Sequence, residues 1–154
     1  MTHIEKTYEI RAKPEVVFSY LDDVSQRSQH MMGMGRNFEF EILSDKPTGL
    51  GATYHWRGDT FGWKFEWTEV VSRYLENKEK AQHSIKGTKI DSGWILTPSD
   101  GGTVVHVTMD YELGDSWFAR LIDTLFARRY CSSGPDSEYA HLKETLERRG
   151  DTGR

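Results

Sequence analysis

Of the residues in this chain that could move a proton or attack a carbon, six are histidines and one is a cysteine. His83 stands where an imidazole would be useful: a period of two from Ala81 to Ile85 puts it on one strand face with those two apolar side chains. A group that titrates near neutrality on such a face can exchange a proton with a bound molecule, so His83 is the candidate catalytic residue. The competing reading, a histidine satisfied by a neighbour or by water, is the commoner fate of that residue type. His106 shares its face with Thr108 and Asp110, which predicts solvent, whereas His55 lies between Tyr54 and Trp56 and its side is open. Cys131 has no disulfide partner, no CxxC or Cys/His cluster is present, and no G-x-S-x-G elbow offers a nucleophile. Gly49-Leu50-Gly51 opens a strand rather than a helix, so it does not read as a phosphate loop. No cofactor and no metal is expected, and 20 basic against 24 acidic residues without a basic block predicts no nucleic-acid partner.

The elements that must position these residues follow from periodicity. His3 to Ile10 alternates as a strand, with Ile4, Tyr8 and Ile10 on one face and only Lys6 breaking the apolar phase. Pro14 then suits a first helical turn, and Val17, Phe18 and Leu21 recur at helical spacing up to Asp22-Asp23. Ser25 to Gly35 reads as a second short helix or turn with a loop containing Met31, Met32 and Met34, side chains that could form an adaptable flap. From Arg36 to Glu112 the period is two, and six strands fit. Their clearest signatures are Phe38, Phe40 and Ile42; Ala52 to Arg57 before a turn at Gly58-Asp59; Trp63, Phe65 and Trp67; Lys80 to Lys86; Trp94 and Leu96; and Val105, Val107, Met109 and Tyr111. From Asp115 to Arg149 the spacing is helical, with Phe118, Leu121, Ile122, Leu125 and Phe126 in one stripe and Tyr139, Leu142 and Leu146 in another. Pro135 predicts a bend or break within Tyr130 to Asp136, because it cannot donate to the carbonyl of Cys131. Residues 1–149 are expected to form one domain and 150–154 a disordered tail.

An order of strand, two short helices, six antiparallel strands and a long helix predicts an α+β helix-grip fold, a curved antiparallel sheet of about seven strands wrapped around the C-terminal helix. Four segments resemble the START-related SRPBCC superfamily, the Bet v 1-like fold, and within it the polyketide cyclase/dehydrase-like and coenzyme-Q-binding-protein-like members. They are Ala12 to Asp23; Gly49-Leu50-Gly51; Leu96-Thr97-Pro98 with Gly101-Gly102-Thr103; and Leu142 to Glu147. Two departures border the expected pocket mouth. The chain has His30-Met31-Met32 where members often carry an aromatic residue, and Gly134-Pro135 inside the last helix. The resemblance implies hydrophobic or amphipathic ligands such as polyketides, lipids, steroids and quinones, and it carries no shared catalytic triad.

The expectation is therefore a hydrophobic small molecule bound between sheet and C-terminal helix. Its lining is drawn from Tyr54, Trp56, Phe65, Trp67, His83, Trp94, Met109, Tyr111, Phe118 and Ile122, with Trp N–H and Tyr O–H groups as polar anchors. A cyclase or dehydratase acting on that ligand is the alternative, and a groove for a protein partner a further one. Arg128 and Arg129 read as a solvated helix face. The sequence contains no apolar run of about 20 residues and its start lacks a signal-peptide core, so no stable membrane insertion and a cytoplasmic location are expected. A second copy of the chain, forming a homodimer, is a macromolecular partner kept open.

Overall fold

The computed structural model describes residues 1–25, 36–60 and 62–114, together with 120, 121, 124, 143, 144, 146 and 147. Its elements are β1 (Thr2–Ile10), α1 (Pro14–Asp22), β2 (Arg36–Ile42), β3 (Thr53–Thr60), β4 (Trp63–Leu75), β5 (Glu79–Gly87), β6 (Lys89–Ser99) and β7 (Gly102–Glu112). The seven strands form one curved antiparallel sheet in the order β1-β7-β6-β5-β4-β3-β2. Consecutive strands β2 to β7 are neighbours, and β1 closes onto β7. β5 therefore lies at the centre and β1 and β2 at the edges.

α1 begins where Pro14 fixes φ at no hydrogen-bond cost, with Glu15 in the first turn to complement the helix dipole. It buries Val17, Phe18 and Tyr20 and ends at Asp23, which is extended. The Asp23 carboxylate accepts from both the backbone N–H and the hydroxyl of Ser25, at 3.0 and 2.6 Å, and Val24 and Ser25 are again helical. The rest of the expected second helix and the Met31, Met32 and Met34 loop lie outside the described residues, as does the Tyr130 to Asp136 window.

Three strand-level expectations change. β3 does not turn at Gly58-Asp59 but runs to Thr60, and the reversal comes at Gly62, whose φ of +80° suits glycine. β4 does not stop after Thr68; it continues to Leu75 with irregularities between Thr68 and Glu69 and between Val71 and Arg73. The third change concerns β5, where Lys80, Gln82 and Ser84 face inward and His83 and Ile85 outward. Apolar alternation put Ala81, His83 and Ile85 inside; the register instead places Lys80 beside Tyr74 and Gln82 beside Val71, and leaves Ile85 58% exposed.

The inner face carries two main clusters. One joins Ile10, Leu96 and Val105 of the sheet to Val17, Phe18 and Tyr20 of α1 and to Leu146 of the C-terminal segment. Phe18 meets Trp94 and Tyr74 edge-to-face, at centroid distances of 5.0 and 5.4 Å. The backbone N–H of Arg11 donates to Glu147 at 3.2 Å, a second tie near Leu146. The other cluster gathers Val24, Ala52, Tyr54, Trp56, Trp67 and Val71. Val105 is buried as its phase predicts, whereas Leu121, expected to pack on the sheet, is 47% exposed; its neighbours Arg120 and Thr124 are exposed too.

Candidate functional site

The concave face can be followed row by row, because antiparallel register aligns inward residues across all strands. Tyr54 and Trp56 of β3 alternate inward with Ala52, and opposite them Trp67, Glu69 and Val71 of β4 do the same. Four rings run side by side here. Phe40 lies 5.4 Å from Trp56, Trp56 is stacked 6.0 Å from Trp67 at 15°, and Phe65 is stacked 5.9 Å from Trp67.

Glu69 sits beneath this aromatic slab with 0% exposure. Trp56 Nε1 donates to its Oε1 at 2.9 Å and Trp67 Nε1 to its Oε2 at 3.2 Å, so each oxygen holds an indole proton. A carboxylate removed from water needs such charge-assisted bonds. The donors that make this possible come from neighbouring strands, paired at Trp56 and Trp67.

Two inward rows along β5 from Ser84, the partner of Glu69, lies a second polar group. Lys80, 4% exposed, donates from Nζ to Asp22 Oδ1 at 2.8 Å, and the Tyr74 hydroxyl donates to Asp22 Oδ2 at 2.8 Å. The Lys80 ammonium also stands 5.5 Å from the centre of the Tyr54 ring. Burial pushes the Tyr74 phenol up to about 12, with the hydrogen bond to Asp22 adding to the shift, so Tyr74 keeps its proton throughout the ordinary pH range. Asp22 belongs to α1, and this pair therefore fastens the end of the helix to the middle of the sheet. Between the two groups, Gln82 Nε2 donates to Ser92 Oγ at 3.1 Å, and Ser84 Oγ accepts the backbone N–H of Ile90 at 3.0 Å.

Toward β1 the inner face becomes less filled. Ile90, Ser92, Trp94, Val107 and Met109 are half-buried, whereas Tyr111 is buried beside Ile4. Of the expected lining residues, Tyr54, Trp56, Phe65, Trp67, Trp94, Met109 and Tyr111 thus share the concave face. Phe118 and Ile122 lie outside the described residues. His83 does not join them: it is exposed on the outer face, in register with Asp91, so the expectation that it faces a ligand is corrected. His106 and His55 also point outward. His106 bonds to Glu5 at 2.8 Å and His55 to Glu66 at 2.8 Å and Thr68 at 2.8 Å.

Sequence reasoning missed Glu69, Lys80, Gln82 and Asp22. The signal for Glu69 was available, since the alternation Trp67, Glu69, Val71 continues past Thr68. For Lys80 and Gln82 no apolar pattern could have served, because the inward residues of β5 are themselves polar.

A family profile described as polyketide cyclase/dehydrase and lipid transport matches residues 1–147. No curated protein matches the sequence. Among solved structures, TTHA0849 from Thermus thermophilus is similar at a TM-score of 0.71 and 20% identity, covering 96% of this chain and 99% of that one. The Zhui aromatase/cyclase from Streptomyces sp. R1128 is similar at a TM-score of 0.66 and 17% identity, covering 96% and 94%. A START superfamily protein from Mycobacterium smegmatis is similar at 0.60 and 14%, covering 95% and 97%. At these identities the likeness is one of fold.

Proposed function

The chain belongs to the polyketide cyclase/dehydrase and lipid transport family, and on that premise we propose that it binds a hydrophobic small molecule, polyketide-, quinone- or lipid-like, between the inner sheet face and the C-terminal helix. The observation that carries this reading is the character of the central strand. A sheet that closed onto a helix as plain core would turn apolar side chains inward at its centre. β5 instead presents Lys80, Gln82 and Ser84 between two apolar clusters, and Ser84, Ser92, Trp94, Val107 and Met109 around it are only half-buried. Apolar walls with a few placed polar groups are what a site for such a ligand requires. The proposed lining is Tyr54, Trp56, Phe65, Trp67, Trp94, Met109 and Tyr111.

A native mass spectrum of the protein purified from its own host tests this directly, the expected result being a retained small molecule. Met109→Trp, which fills space opposite Ser92 and Ile4, should weaken binding of that molecule about tenfold. No retained mass, together with no change in Trp fluorescence across polyketide, quinone and fatty-acid panels, would reject the reading.

A second reading, cyclisation or dehydration of the bound molecule, is favoured by a hydrogen-bonded group of proton carriers at that face, Tyr74 and Lys80 of the sheet with Asp22 of α1. Incubating the retained ligand with the protein and finding a product of altered mass would support it; an unchanged ligand leaves a binding role alone.

A further inference from the structure

We propose that Lys6 is a cationic anchor at the β1 side of the concave face, and that the ligand is an amphipathic acid whose carboxylate it holds. The proposal rests on the binding reading above and names the class of molecule. Lys6 lies on β1 between Ile4 and Tyr8 in the inward phase, and it is half-buried. It makes no hydrogen bond or ion pair among the described residues, in contrast to its counterpart Lys80. The two lysines stand on one row across the sheet: Lys6 pairs with Val107, Val107 with Trp94, Trp94 with Lys80, and Lys80 with Tyr74. Three strand spacings of about 4.8 Å set them roughly 14 Å apart.

Lys80 is neutralised by Asp22 at 2.8 Å and by its burial is committed to holding α1. Lys6 has no such duty among the described residues. Packing alone would favour an apolar side chain at its place, since its neighbours along and across the strands are Ile4, Tyr8 and Val107. A lysine there lays its stem along that surface and presents its ammonium at the end. An anion brought against it gains a charge-assisted bond in surroundings less polar than water. The apolar body of the ligand would then lie over Val107, Trp94 and Met109, which are half-buried and continue from Lys6 across β7 and β6. Glu69 lies on the far side of β5, so the acid has a single favourable direction: carboxylate toward β1, tail toward the aromatic slab.

The test compares dodecanoate with dodecanol as probes, by titration calorimetry on the whole chain. The wild type should bind the acid at least about tenfold more tightly than the alcohol. Lys6→Met should bring the ratio within about twofold by losing affinity for the acid only, and Lys6→Arg should keep the preference. Met at an inward position is compatible with the strand, and Lys6→Gln provides a second neutral variant. If both probes bind the wild type equally, or the Lys6→Met and Lys6→Gln proteins keep the preference, the anchor is wrong and the binding reading stands. If neither probe binds, the binding reading fails for alkyl ligands and the anchor fails with it.

Discussion

The Glu69 carboxyl is accommodated inside the protein because two indoles reach it, and the same arrangement makes those indoles depend on it. Glu69→Leu would remove the acceptor of both Trp56 and Trp67 while adding little volume, and the two stranded N–H groups should cost roughly 2 to 5 kcal/mol in urea denaturation. A loss under about 1 kcal/mol would mean that other acceptors replace it. The Asp22 and Lys80 pair obeys a different rule. Asp22→Ala leaves an ammonium at 4% exposure without its carboxylate and should destabilise by about 3 to 5 kcal/mol. Adding Lys80→Met to that variant should restore part of the loss, because an apolar pair of similar volume has no charge to solvate. These residues were hard to recognise beforehand for a physical reason. Apolar alternation identifies the inward face only where that face is apolar, and Lys80, Gln82 and Ser84 invert the pattern that placed His83 inside. Tyr54, Trp56, Trp67 and Tyr111 were legible because large rings have few places to go except the interior.

Among the elements, Gly87 and the β1–β7 pair give the sharpest tests. Gly87 has φ of +83°, and a Cβ there would stand 2.1 Å from the carbonyl oxygen of Glu66. It ends β5 close against β4, where the Thr88 N–H donates to that same carbonyl at 2.9 Å. Gly87→Ala should therefore lower stability by at least about 2 kcal/mol, measured by chemical denaturation. On the outer face His3 bonds Asp110 at 2.7 Å, and this bond, followed by that to Glu5, raises the His3 pKa above its ordinary 6.5. A raised imidazole pKa adds stability that is fully present below 6.5 and is lost as pH rises through the shifted value. The stability difference between wild type and His3→Gln should accordingly be larger near roughly pH 5.5 than near about pH 8.5; equal differences would show that the pair contributes nothing. Strand β7 was readable because Val105, Met109 and Tyr111 alternate without interruption. The β3–β4 turn was not, since Gly58-Asp59 has turn chemistry yet pairs within the ladder with Phe65 and Lys64.

For the whole molecule, the order of strand-like and helix-like periods was sufficient to reach the architecture, because short connections between elements in that order allow few sheets. It could not reach the cross-strand rows of the inner face, because a row such as Lys6, Val107, Trp94 and Lys80 is assembled from residues far apart in the chain. The partnership of β1 and β7 also reaches beyond the finished structure. His3 and Asp110 are separated by 107 positions, whereas each strand from β2 to β7 pairs with its neighbour in sequence. The hairpins of the meander can therefore close over short loops, but β1 has to wait for β7 before its ladder can form. During synthesis the first strand to emerge is the last to find its place. Until then α1, which follows β1, lacks part of the cluster around Ile10 and Val105 on which it packs. In a stopped-flow refolding experiment, a reporter on β1 should gain its native signal after one on the β3–β4 hairpin, and an interval of exposed apolar surface should separate the two.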